Sequence, residues 1–267
     1  ELSILVEAVV AADLAATLST GTLTVFAPTN AAFAALLTEL GVSKEALLAN
    51  KPLLTAVLTY HVLGSTVARA DVPLGKAITP VSGGFFKIES NNGLKITDGR
   101  NRVSTITATD IQASNGVVHL VDRVLLPADK DIVATASALP DFSILVEAVV
   151  AAGLASTLQG TGPFTVFAPT NAAFAALLTE LGVSKADLLA NTALLTKVLT
   201  YHVVPARVLK AEVPVNTAIT TVQGQSFTVN SSLVITDQNM RTSSIVATDV
   251  FTSNGVIHVV DKVILPK

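Results

Sequence analysis

The 267-residue chain contains no cysteine. That absence excludes disulfide bonds, thiolate metal sites, iron–sulfur clusters and a cysteine nucleophile, and it leaves the redox compartment open. Charge is scarce: 14% of residues are charged, the net charge is −3, and the 17 basic residues are scattered. No basic stripe with interleaved aromatics is present to grip a phosphate backbone, so nucleic acid is not an expected partner. Long apolar runs are missing too, although half the residues are hydrophobic and mean hydropathy is +0.61. The greasiest stretch, ILVEAVVAADLAATL, is cut by Glu7 and Asp13, short of the roughly 20 apolar residues a membrane helix needs. The apolar surplus must fill dry cores or lie on the surface, where a contiguous patch marks a partner site.

What is present is a duplication. TVFAPTNAAFAALLTELGVSK occurs at Thr24–Lys44 and again at Thr165–Lys185. SILVEAVVAA starts at Ser3 and Ser143, LTYHV at Leu58 and Leu199, and SNGV at Ser114 and Ser253. The second copy has one residue inserted near Gly162 and two fewer at the position of Asn91–Gly93. So long a period is a whole domain rather than a solenoid unit, which predicts tandem domains at 1–128 and 129–267. A run reading as a short helix, DKDIVATASALPD, precedes the second copy, whereas the first begins abruptly with Glu1 aligned to Asp141. The phase of the repeat predicts that Glu1 is not the native start and that a helix and any targeting peptide stand ahead of it.

Within a copy, SILVEAVVAADLAATL has helical spacing, TLTVFAP is a β-rich run, and TNAAFAALLTEL is a helix capped by Thr29 or Asn30 and stopped by Gly41. Ser43 and Ser184 cap a further short helix, and Asp187 completes a capping box in the second copy. NKPLLTAVLTYHV is helical, with Pro52 in its first turn. After Val62 the period becomes two: TVARADV, AITPV, FFKIES, LKITD, VSTITATDIQ and GVVHLVDRVLLP read as strands. SNGV reads as an Asn-Gly hairpin turn with both residues at positive φ. Helices followed by strands predict an α+β fold, with helices gathered on one side of a twisted sheet.

Three segments stand in order in each copy: TVFAPTNAAFAALL, LTYHV, and NGVVHLVDRVLLP or NGVIHVVDKVILP. Together they resemble the fasciclin (FAS1) domain family, over essentially the whole chain. The resemblance implies two β-wedge or sandwich domains flanked by helices, in a secreted, cell-surface or periplasmic protein of microbial character. It implies adhesion through a protein or extracellular-matrix partner, or alternatively carriage of an apolar molecule such as a carotenoid or lipid. The family's Tyr-His motif falls on Tyr60 and His61 and on Tyr201 and His202. Its Asp-Ile pair falls on Asp110 and Ile111, and on Asp249 and Val250. These eight are the candidate partner-binding residues. Ala-Thr precedes both aspartates, a departure from the integrin-binding members.

The residues suggest no enzyme, metal or cofactor. Histidines 61, 119, 202 and 258 lack metal-ligand spacing, and a buried, hydrogen-bonded imidazole explains them. The tyrosines suit an anchor at the helix-to-strand corner, with a partner contact as the sharper reading. Asp110 with Asp122, and Asp249 with Asp261, lack a nucleophile or glycosidase setting and fit turn hydrogen bonding. ITDGRN lacks a calcium-ligand ladder. Asn230 begins the one glycosylation sequon.

Overall fold

Side-chain caps and left-handed stops delimit the helices. In the first copy these are α1 (Ser3–Ala11), α2 (Ala15–Leu18), α3 (Asn30–Leu40), α4 (Lys44–Ala49) and α5 (Lys51–Tyr60). Thr29, Ser43 and Asn50 accept the N–H of Ala32, Ala46 and Leu53, satisfying donors that a helix start leaves without partners. Gly41 ends α3 at φ 65°, and Asp13, also at positive φ, splits the predicted first helix into α1 and α2. The computed structural model describes residues 1–267 as two units, Glu1–Ala128 and Asp129–Lys267. No helix is long and apolar enough to cross a membrane.

The strands of the first unit are β1 (Leu23–Pro28), β2 (Val62–Leu63), β3 (Ala77–Ile78), β4 (Phe86–Ser90), β5 (Leu94–Thr97), β6 (Val103–Ala113) and β7 (Gly116–Val121). They form one sheet in the order β2-β1-β7-β6-β5-β4-β3, antiparallel throughout except for the parallel pair β1 and β7. Phe26 of β1, Ile78 of β3, Phe86 of β4, Ile96 of β5 and Val121 of β7 share a single cluster. Side chains from both ends of the strand order can meet only if the sheet curls around them. On its other side the helices build a second cluster, with Phe33, Leu36, Leu54 and Leu58 buried against Val124 and Leu126.

The second unit repeats this plan. Its helices are α6 (Ile132–Ser137), α7 (Ser143–Ala151), α8 (Ala155–Leu158), α9 (Asn171–Leu181), α10 (Lys185–Ala190) and α11 (Thr192–Tyr201). Its strands are β8 (Phe164–Pro169), β9 (Val203–Val204), β10 (Ile219–Thr220), β11 (Ser226–Val229), β12 (Val234–Thr236), β13 (Thr242–Thr252) and β14 (Gly255–Val260). The capping box of Ser184 and Asp187 is formed.

Two expectations need correction. TVARADV is no strand: Arg69–Asp71 is a 3-10 turn, held where the Arg69 N–H donates to Asp110 Oδ1. The hairpin loop between β6 and β7 is Ser114-Asn115, because Ala113 pairs with Gly116, and Asn115 is not at positive φ. Gly116 instead serves close approach. A Cβ there would stand 1.8 Å from the Leu23 carbonyl oxygen of β1, and one at Gly255 2.0 Å from that of Phe164.

Candidate functional site

The Tyr-His motif lies where α5 runs into β2. Tyr60 and Tyr201 are fully buried, and His61 and His202 nearly so. Tyr60 donates its hydroxyl to the Phe85 carbonyl and stands edge-on to Phe86, with ring centroids 5.8 Å apart; Phe86 in turn stands edge-on to Phe26 at 5.3 Å. Tyr201 donates to the Ser226 carbonyl at 2.9 Å and meets Phe227 in the same way. Burial pushes the Tyr60 phenol well above its ordinary range and that of Tyr201 up to about 12, so both stay protonated donors.

The geometry assigns the histidine tautomers. The Leu125 N–H can only donate, so His61 Nε2 accepts at 2.9 Å and Nδ1–H donates to the Val57 carbonyl at 2.7 Å. His202 repeats this between Ile264 and Val198. Burial pushes both imidazoles down to about 4, outweighing the hydrogen bond to the helix carbonyl, which acts the other way. Each neutral ring therefore ties the last turn of a helix to the extended segment after the last strand. As folded, these four side chains are buried and hold a corner.

The Asp-Ile segment is a β-bulge. Register shifts fall between Ile106 and Ala108 and between Ala108 and Ile111, and Asp110 sits at φ 59°. Aspartate tolerates the left-handed region better than most residues, and a bulge re-aims the side chains beyond it. Here the Asp110 N–H donates to His119 Nδ1 at 3.2 Å, Nε2–H of that ring donates to the Val67 carbonyl, and Asp110 Oδ1 accepts from Arg69. His258, Val208, Lys210 and Asp249 repeat the arrangement. Asp110 is exposed and Ile111 is 43% exposed, whereas Asp249 is buried and Val250 packs against the helical core. The eight candidates thus do not converge on one site: two pairs per unit are separated by the aromatic core, and only Asp110 and Ile111 stand open to solvent.

Asp98, passed over as part of a failed calcium loop, is a hub. Its buried carboxylate accepts from the backbone of Arg100, Arg102 and Leu126 and from the Arg102 guanidinium, which also grips Glu39. Asp237 binds the backbone of Asn239, Arg241 and Leu265 in the same way. The available signal was an Asp with an Arg four residues on, repeated in both copies. Asp122 and Asp261 accept not within a turn but from the neighbouring strand, from the N–H of Thr105 and of Ser244, each 17 residues away.

Comparison with known proteins places this geometry. The fasciclin domain family matches residues 1–127 and 140–266. Protein sll1483 of Synechocystis is 44% identical over 150 residues, covering 55% of this chain and 79% of that protein. Transforming growth factor-beta-induced protein ig-h3 of pig is 28% identical over 255 residues, covering 92% of this chain. The chain spans only 35% of that animal relative's length. Among solved structures, a FAS1 domain pair from the insect cell adhesion molecule Fasciclin I aligns over 97% of this chain and 95% of its own, with 18% identity and a TM-score of 0.49.

Proposed function

This chain belongs to the fasciclin domain family, carrying the domain twice, and from that premise we propose that it is a non-enzymatic adhesion or interaction module acting on a protein or matrix partner outside the cytoplasm. The observation that carries the reading is the use made of the reactive side chains. Both ring nitrogens of every histidine and both tyrosine hydroxyls are engaged with backbone groups inside the units. What remains for a partner is surface, and in the first unit it includes the bulge at Asp110 and Ile111.

A protein partner fits better than a carried carotenoid or lipid. The apolar cavity beneath Phe33, Leu54 and Val57 measures about 150 Å³ and the one beneath α6 about 30 Å³, while a cavity of about 370 Å³ beside α9 is lined by Glu180, Arg241 and Lys262, charged groups that do not suit a carotenoid or lipid chain. A pocket that engulfs a drug-sized ligand runs to roughly 300–1,000 Å³. The test is attachment of cells of the source organism to a surface coated with the purified protein. Ile111→Asp, at an exposed position, is expected to lower attachment several-fold with unchanged circular dichroism. Full attachment by that variant removes the bulge from the mechanism, and no attachment by the wild type overturns the module reading.

A further inference from the structure

The loop that carries the Asp-Arg hub is closed on itself in one copy and open in the other. In the first unit all five N–H donors of the Arg102 guanidinium are used: Nε and Nη2 donate to Asp98, Nη2 also to the Val124 carbonyl, and Nη1 to both oxygens of Glu39. In the second unit Arg241 takes the same place in the repeat, with Glu180 as the counterpart of Glu39. Here Nη2 donates to Glu180 at 2.7 Å, and Asp237 is bonded to backbone N–H groups alone. Nη1 of Arg241 is buried and has no hydrogen-bond partner in the protein. Buried donors are paired in the great majority of native structures, so this one calls for an acceptor.

Arg241 lines the cavity of about 370 Å³ beside α9, a volume that accepts a small organic molecule. Part of the lining is apolar and buried, at Ala173, Leu177 and Val263. The charged part is Arg241, Lys262 and Glu180. Lys262 is exposed and forms no ion pair, and Glu180 is already bonded to Arg241, so the lining keeps one uncompensated positive charge. Met240, the one methionine of the chain, also lines the cavity and is 80% exposed. It stands at φ 60°, where the first copy has Asn101 at φ 61°. Asparagine visits that left-handed region readily and methionine does not, so the loop holds an adaptable thioether at the cavity against backbone strain.

We propose that this cavity of the second unit binds a small organic monocarboxylate with a compact apolar body. The carboxylate neutralises the surplus charge of Arg241 and Lys262 and supplies the acceptor that Nη1 lacks, in a charge-assisted bond stronger than a neutral one. One negative charge is the match, since a second would stand unpaired beside Glu180. The apolar body lies against Ala173, Leu177 and Val263, and the flexible Met240 side chain adapts to its shape. The first unit binds no such ligand through Arg102, whose donors are all taken. The inference stands on the comparison of the two loops and does not depend on adhesion.

The test uses Met240 as the reporter, because a methyl label on methionine gives a single signal from the 267-residue protein. That signal is followed by nuclear magnetic resonance during titration with phenylacetate. A saturable one-to-one shift is expected, weakened at least ten-fold by Arg241→Gln and by Lys262→Gln, with circular dichroism unchanged in both. Lys197→Gln is the control, a like loss of charge on α11 outside the cavity lining, and it is expected to bind as wild type. Neutral phenylacetamide is expected to leave the signal in place. Absence of a saturable shift overturns the proposal, as does binding that either cavity variant leaves unchanged. Binding of the amide as tight as that of the acid removes the charge from recognition and overturns it too. Displacement of phenylacetate by an equal concentration of inorganic phosphate assigns the cavity to anions in general and overturns the carboxylate reading equally.

Discussion

A histidine with both ring nitrogens bonded to backbone is stable in only one protonation state. Protonating His61 or His202 would turn Nε2 from an acceptor into a donor facing the N–H of Leu125 or Ile264. Burial pushes both groups down to about 4 from an ordinary 6.5. Between those values the unfolded chain binds more protons than the folded one. Stability from these groups is therefore complete above about pH 6.5 and is lost as pH falls toward 4, on the order of 3 kcal/mol per histidine. Urea denaturation at about pH 7 and pH 4.5 checks this; a midpoint that does not fall, or that falls as much in His61→Gln, sinks the assignment. At this scale the sequence was partly legible. Phe26, Phe33, Phe167 and Phe174, the aromatic residues of the duplicated TVFAPTNAAF segment, are buried. The tautomers were not legible, because they depend on carbonyls and N–H groups brought from distant segments.

Among the elements, the boundaries of the capped helices α3, α4 and α5 follow the sequence closely, since a cap is a contact between residues three apart and needs no tertiary information, whereas the uncapped first helix is split at Asp13. The strands were harder. Loop and bulge at the β6–β7 hairpin depend on the strand that β7 packs beside, and the Asn-Gly signal pointed to the wrong pair of residues. Gly116 and Gly41 separate the two reasons for a glycine. At Gly41 a Cβ meets nothing within 4 Å, so Gly41→Ala costs only the left-handed strain of about 1–2 kcal/mol. At Gly116 the Cβ would strike the β1 backbone at 1.8 Å, so the parallel pair of β1 and β7 must part or shift. Gly116→Ala is expected to destabilise the first unit by more than Gly41→Ala, by about 3 kcal/mol or more, within the overpacking range. Thermal denaturation of the two variants side by side decides it, and equal losses would count against the close-approach explanation.

At the scale of the whole molecule, each unit holds one tyrosine in a chain without tryptophan. Tyrosine fluorescence in a Tyr201→Phe background therefore reports the first unit alone. Leu54→Ala, at a buried position, is expected to lower the stability read from Tyr60 by about 2–5 kcal/mol. The same substitution in a Tyr60→Phe background should leave the transition read from Tyr201 in place; a matching fall there would show that the units unfold together. The sequence by itself determined the duplication, the order of helices before strands, the caps and the aromatic core, because each is written in short-range patterns of period, spacing and residue type. Only the tertiary structure decided which surfaces are open. Ala-Thr-Asp precedes the bulge in both copies, yet Asp110 is exposed and Asp249 buried. The residues are alike, and the difference lies in what packs beside them in the folded unit, which no short-range pattern of residue types records.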